Sequence, residues 1–263
     1  MGKAIVVTSG KGGVGKTTTT ANLGTGLALA GKRVVVIDAD IGLRNLDVVL
    51  GLENRIVYNL VDIVEKSCRP KQAMIKDKKL EGLFLIPAAQ TRDKTSVNPD
   101  QMKELIDQLK EEYDYVLIDC PAGIEQGFKN AVAGADEALV VTTPEVSAVR
   151  DADRIIGMLE AEEVPSTRLV INRIKQEMVL KGEMMGIDDV VEILAVDLLG
   201  IIPDDSEIVV ASNKGEPVIY NKKSSAGRAY QNITDRMEGK DVPLMDLNEQ
   251  LGVWARFKSR WSK

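Results

Sequence analysis

The stretch Gly10-Lys11-Gly12-Gly13-Val14-Gly15-Lys16-Thr17 decides how this chain is read. It fits the pattern GxxxxGK[ST] and lies between an apolar, strand-like run at 4–7 and a helix-like pattern at 18–30. That context gives the pattern its meaning as a phosphate-binding loop. Glycines let the backbone curl until successive N–H groups converge on phosphate oxygens, and the helix that follows adds its positive end. Gly10, Gly12, Gly13, Val14 and Gly15 would build the cradle, with Thr18 opening the helix behind it. Lys16 is expected to reach the β- and γ-phosphates, and the Thr17 hydroxyl to bind Mg²⁺.

Working outward, short apolar runs at 4–7, 34–37, 83–86, 115–118, 138–141, 168–171 and 198–202 alternate with helix-length segments. The helical patterns cover 18–30, 99–111, 125–133, 147–161, 188–194, 206–213 and 224–238. Such alternation predicts an α/β fold with a doubly wound, mostly parallel sheet and ligands at the carboxyl ends of its strands. Candidate chemical residues occur where that rule expects them. Val34 to Ile37 run into Asp38-Ala39-Asp40, and Tyr115 to Ile118 run into Asp119. An acid ending a strand is often only a turn residue. Downstream of a phosphate loop, Asp119 takes the Walker B form and would hold Mg²⁺. Cys120-Pro121-Ala122-Gly123 resembles a switch II segment, in which the Gly123 amide could sense the γ-phosphate; the bland alternative is an ordinary βα turn.

Composition narrows the chemistry. Among the 263 residues there is no histidine, which removes Ser-His and Cys-His mechanisms and His-ligated zinc. Carboxylates, lysines, backbone amides and metal remain. The chain is 44% hydrophobic but only 4% aromatic, as an aliphatic, doubly covered parallel sheet requires. A net charge of −6 gives no general attraction to nucleic acid, so DNA is an unexpected partner. Cys68 and Cys120 form no CxxC motif and read as reduced thiols of a cytoplasmic protein. The sequence enters its first strand at once, so no secretory signal is expected. No apolar run approaches the roughly 20 residues that span a bilayer.

The C-terminal stretch differs from the rest. Residues 1–238 read as the nucleotide-binding domain, 239–246 as a linker and 247–263 as an amphipathic helix. Leu247, Leu251, Trp254, Phe257 and Trp261 recur with spacings of 4, 3, 3 and 4, on about one-third of the helical circumference. Arg256, Lys258 and Arg260 accompany them. Aromatics plus cations predict a helix lying in the interface of an anionic phospholipid membrane. Gly252 and an in-stripe Lys258 weaken that pattern, and a helix docked on its own domain is the alternative.

Lys11 adds a further layer of meaning. KGGVGKT resembles the deviant Walker A motif of the ParA/MinD family of dimerising ATPases. The resemblance extends through 38–47 (DADIGLRNLD), 87–94, 119–125, 143–155 and 211–218, and is strongest to the division-site branch. It implies ATP with Mg²⁺ as cofactor and an ATP-dependent homodimer in which Lys11 crosses to the partner's phosphates. It implies that Asp40 orients the attacking water and, with Thr17 and Asp119, belongs to the metal site, with Asp38 supporting the same network. It also implies that Asn172, Arg173, Pro203 and Asp204 surround the base. The cellular role implied is recruitment of a division inhibitor to the inner face of the cell membrane. Release on hydrolysis would be stimulated by a topological regulator. Arg150-Asp151-Ala152-Asp153 either faces such regulators or is a solvated helix start. A DNA-partition ATPase, a flagellar-number ATPase and a non-catalytic iron–sulfur carrier are the rival readings.

Overall fold

The computed structural model describes residues 1–92, 96–123 and 126–247. Its strands are β1 (Lys3–Thr8), β2 (Val34–Asp38), β3 (Ile75–Lys76), β4 (Leu83–Ile86), β5 (Tyr115–Asp119), β6 (Glu137–Thr142), β7 (Thr167–Ile174) and β8 (Asp197–Pro203). The helices of the first half are α1 (Lys16–Leu29), α2 (Leu46–Val49), α3 (Leu60–Val64), α4 (Pro70–Ala73) and α5 (Pro99–Glu112). Those of the second half are α6 (Gln126–Val132), α7 (Val146–Ala161), α8 (Gln176–Leu180), α9 (Ile187–Leu194), α10 (Glu207–Asn213) and α11 (Ser225–Met237). Among the described residues the strands form one eight-stranded sheet in the order β3-β4-β2-β5-β1-β6-β7-β8. Every pairing is parallel except β3 with β4.

Strand alternation sorts the aliphatic side chains onto two faces. Ala4 and Val6 of β1 join one core with α5, α6, α7 and α9 residues, while Ile5 and Val7 join the other with α1 and α11. Both faces of the central strands are buried, so each Val or Ile contributes on the order of 1.5–3 kcal/mol of burial. The sheet therefore stands on aliphatic packing, and the phosphate loop starts from a fixed strand end.

The order reverses around β1, which lies between β5 and β6. That switch point places the carboxyl ends of β1, β2 and β5 together, with the 9–15 loop above them. The doubly wound parallel sheet expected from the sequence is present, with two kinds of difference. The short elements α2, α3, α4, α8 and β3 carry too few residues for a period to register. Helix α1 begins at Lys16, inside the motif rather than at Thr18.

The 239–246 segment lies against the domain. The Arg236 guanidinium donates to the carbonyls of Val242 (2.8 Å), Pro243 (2.6 Å) and Leu199 (2.9 Å). Leu247, expected to open the apolar stripe, is instead buried in the core. Leu251, Trp254, Arg256, Phe257, Lys258, Arg260 and Trp261 lie outside the described residues.

Candidate nucleotide-binding site

The loop between β1 and α1 takes its shape from its glycines. Gly13 and Gly15 adopt left-handed conformations, at φ 79° and 101°, that other residues reach only with strain. Gly10 is there for a different reason. A Cβ at Gly10 would fall on the Asp151 main chain of α7 and 2.6 Å from its Cβ. The loop is thus seated against α7 on one side, while on another Gly12 lies next to Ala122, with Gly123 at φ 96° beyond it.

Two lysines of this one loop point in different directions. Lys16 is buried, and its Nζ donates to the Ser9 hydroxyl at 3.0 Å. That hydroxyl in turn donates to the Lys11 carbonyl at 2.8 Å, so the head of the loop is cross-braced. The Lys11 side chain is 42% exposed and lies against the start of α7, 3.2 Å from Ser147 Oγ and 3.4 Å from Glu145 Oε2. An ion pair this exposed is worth about 0–1 kcal/mol. Lys11 is therefore lightly held and able to exchange partners.

Below the loop, parallel pairing of β2 with β5 sets Asp38 beside Asp119. Both carboxylates are buried. Burial, with Asp119 alongside, pushes the Asp38 carboxyl up to about 7, against the pull of N–H donors from Asp40, Leu46 and Asn45. Those donors lie at 3.0–3.2 Å, so Asp38 pins the 40–46 loop to the end of β2. Burial likewise raises Asp119 to about 6, opposed by the Thr17 hydroxyl and the Lys16 ammonium. The Thr20 hydroxyl, 3.3 Å away, also donates to Asp119. Two buried acids held high by desolvation are a site that a cation would relieve. Among the described residues no cluster of three or more His, Cys, Asp or Glu forms a metal cage. A metal here would draw on Thr17, Asp119, water and phosphate oxygens, which suits Mg²⁺ better than a metal needing a protein cage.

Of the other expected residues, Asp40 is half-buried on the pinned loop beside this pair. Asn172 is buried, and both ends of its amide already bind the protein: Nδ2 donates to the Val14 carbonyl at 2.7 Å and Oδ1 accepts from the Arg173 N–H at 2.9 Å. One N–H and one lone pair are left for a base edge. Arg173 is exposed, and Pro203 is buried at the end of β8. Exposed Asp204 pairs with Lys175 at 3.3 Å. A cleft of about 830 Å³ lined by Glu145, Val146, Arg173, Lys175 and Asp204 connects Arg173 and Asp204, though not the buried Asn172 and Pro203, with Glu145, the partner of Lys11. Sequence reasoning missed Ser9, Thr20, Glu145 and Asp205. The last accepts from Ser224, Ser225 and Ala226 at 2.7–3.1 Å and pins the start of α11. Thr20 had a signal, lying one helical turn beyond Lys16 and Thr17. Ser and Glu in turns have none.

A glycine-rich loop on a parallel sheet, a buried lysine, a second outward lysine and strand-end acids define a P-loop nucleotide-binding protein of the deviant Walker A class. The profile of the CobQ/CobB/MinD/ParA nucleotide binding domain matches residues 5–218, and the chain belongs to that family. It is 61% identical to the septum site-determining protein MinD of Bacillus subtilis, over 98% of both chains. It is 49% identical to the corresponding protein of Helicobacter pylori, over 100% of both. Among solved structures it is similar to the MinC:MinD cell division protein complex of Aquifex aeolicus, with TM-score 0.87 and 46% identity, covering 93% of this chain and 99% of that one. The septum site-determining protein MinD of Pyrococcus horikoshii, complexed with Mg-ADP, matches with TM-score 0.82 and 29% identity over 90% of this chain and 96% of that one.

Proposed function

We propose that this chain is a Mg²⁺-dependent ATPase that determines the division site by coupling nucleotide state to dimerisation and membrane attachment. The observation that carries the reading is the division of labour between two lysines of one loop. Lys16 is buried under the cradle, where it would meet the phosphates of its own nucleotide. Lys11 stands outside and would cross to a second copy, adding positive charge where charge spreads during phosphoryl transfer. Leaving Glu145 and Ser147 costs Lys11 about 1 kcal/mol at most, since the pair is exposed.

The residues fit a magnesium nucleotide. Thr17 and Asp119 would hold the metal, which when bound neutralises phosphate charge as a Lewis acid. Asp40 would orient the attacking water, with Asp38 holding its loop in place. The Gly123 N–H would read the γ-phosphate. Asn172, Arg173, Pro203 and Asp204 would line the base pocket.

Similarity to septum site-determining relatives over the whole chain supports the cellular half of the reading. A relative solved with MinC suggests a MinC-like inhibitor as the recruited partner. A topological regulator, MinE-like or of a polar-scaffold kind, would stimulate release. Attachment would be peripheral, through 247–263 at an anionic inner leaflet. Among the described residues no helix is long and apolar enough to cross a membrane.

Sedimentation velocity tests the reading. Wild type with Mg·ATP should run as a dimer and with Mg·ADP as a monomer. Lys11→Ala should bind nucleotide yet remain monomeric. A Lys11→Ala protein that dimerises and hydrolyses ATP like wild type would refute the two-lysine account.

A further inference from the structure

We propose that Asn172 is a positioning residue for the phosphate cradle, acting through the Val14–Gly15 peptide and not only through the base. The inference rests on the phosphate-binding reading of the 10–17 loop. Its basis is a buried amide whose orientation is fixed. Arg173 has a left-handed φ of 56°. Its N–H turns back and donates to Asn172 Oδ1 at 2.9 Å. With the oxygen committed there, the amide nitrogen faces the loop and donates to the Val14 carbonyl at 2.7 Å. Asn172 is 2% exposed, so water does not compete for either bond.

The consequence follows from peptide geometry. In a planar trans peptide the C=O and the next N–H point in opposite directions. Fixing the Val14 carbonyl toward β7 therefore fixes the Gly15 N–H toward the other side of the loop, where phosphate oxygens would lie. Gly15, left-handed and without a Cβ, would otherwise let this peptide rotate about its N–Cα bond. Gly15 is also the position where a Cβ would collide with Asn172 Nδ2, so the close approach and the glycine belong together. A strand-end residue 158 positions away thus holds one donor of the cradle in place.

Asn172→Ala separates this role from base reading. Binding of Mg·ATP and of Mg·tripolyphosphate, which has no base, is measured by displacement of a fluorescent nucleotide. The ¹H–¹⁵N shift of Gly15 is followed on addition of tripolyphosphate. Losing one buried neutral hydrogen bond should weaken tripolyphosphate by about tenfold, and ATP by at least that factor because it also loses the base contact. The Gly15 amide should lose its ligand-induced shift. A variant that weakens for ATP and keeps wild-type tripolyphosphate affinity would make Asn172 a base reader alone and overturn the proposal. Unchanged affinity for both would overturn it too. If wild type itself binds neither ligand, the phosphate-loop reading has failed, and this proposal with it. Asn172→Ser, which keeps a short acceptor for the Arg173 N–H but cannot reach Val14, replaces the alanine variant if that one does not fold.

Discussion

Replacing Asp38 by asparagine should change the pH dependence of stability of the nucleotide-free protein, in a direction the structure sets. Burial and the neighbouring Asp119 raise the Asp38 carboxyl from 3.8 to about 7 in the folded state. An acid with a raised folded value holds a proton when the unfolded chain has already lost it. Stability is therefore lost as pH rises through the window from about 4 to about 7, and regained on acidification. For those two values linkage gives roughly 3 kcal/mol of extra stability at pH 5 relative to pH 8. Asp119, raised to about 6, is close enough that the two share much of this effect, so their contributions do not simply add. The substituted amide cannot titrate. It also cannot accept from all three N–H groups that now meet the carboxylate, so the variant carries a pH-independent penalty of about 1–3 kcal/mol. The assay is urea unfolding of both proteins from pH 8 to pH 5 without nucleotide. The stability of wild type minus that of Asp38→Asn should rise on acidification, by up to about 3 kcal/mol. A flat difference would mean that Asp38 ionises like an exposed carboxylate, and the reasoning about the buried acid pair would be refuted.

Lys16→Ala should abolish Mg·ATP binding by calorimetry while leaving the melting temperature within a few degrees, because its ammonium donates to one hydroxyl and the neighbouring Asp119, already held high by burial, can take up a proton when that cation is lost. Gly10→Ala should destabilise by about 1–3 kcal/mol through overpacking against Asp151 and weaken nucleotide binding as the loop shifts; thermal unfolding together with calorimetry reads both effects. Asp40→Ala should bind Mg·ATP and dimerise but turn over at least tenfold more slowly in a phosphate-release assay, since general catalytic positioning contributes at least that much.

Periodicity and one motif made most of the sheet legible, because parallel strands buried on both faces are short aliphatic runs that only helices can separate. Lys16, Asp38 and Asp119 were also legible, as residues at strand ends or at the loop-to-helix junction. The register that puts Asp38 beside Asp119 was not, since pairing of β2 with β5 joins segments about 80 residues apart. Nor was the orientation of Lys11. Its contact with Glu145 and Ser147 depends on how close the loop lies to α7, and Gly10 sets that approach only in three dimensions. Asn172 was read toward the base because the family resemblance places an amide there, and an amide can pair with a base edge. Its bonds to Val14 and Arg173 depend on how closely the end of β7 approaches the phosphate loop, which sequence does not announce. Leu247 fitted a helical stripe, yet it is buried in the core because Arg236 ties 242–243 down to the domain.

Vesicle sedimentation tests the central claim most directly, since it reads nucleotide state and membrane attachment together. Two tails in one dimer would bind at high effective concentration, raising avidity by about 10²–10⁴-fold over a single tail. With anionic vesicles, full-length protein should pellet far better in Mg·ATP than in Mg·ADP or without nucleotide, and Trp254→Glu should stay in the supernatant in every state. Equal pelleting in ATP and ADP, or normal pelleting by a chain lacking 247–263, would contradict the account.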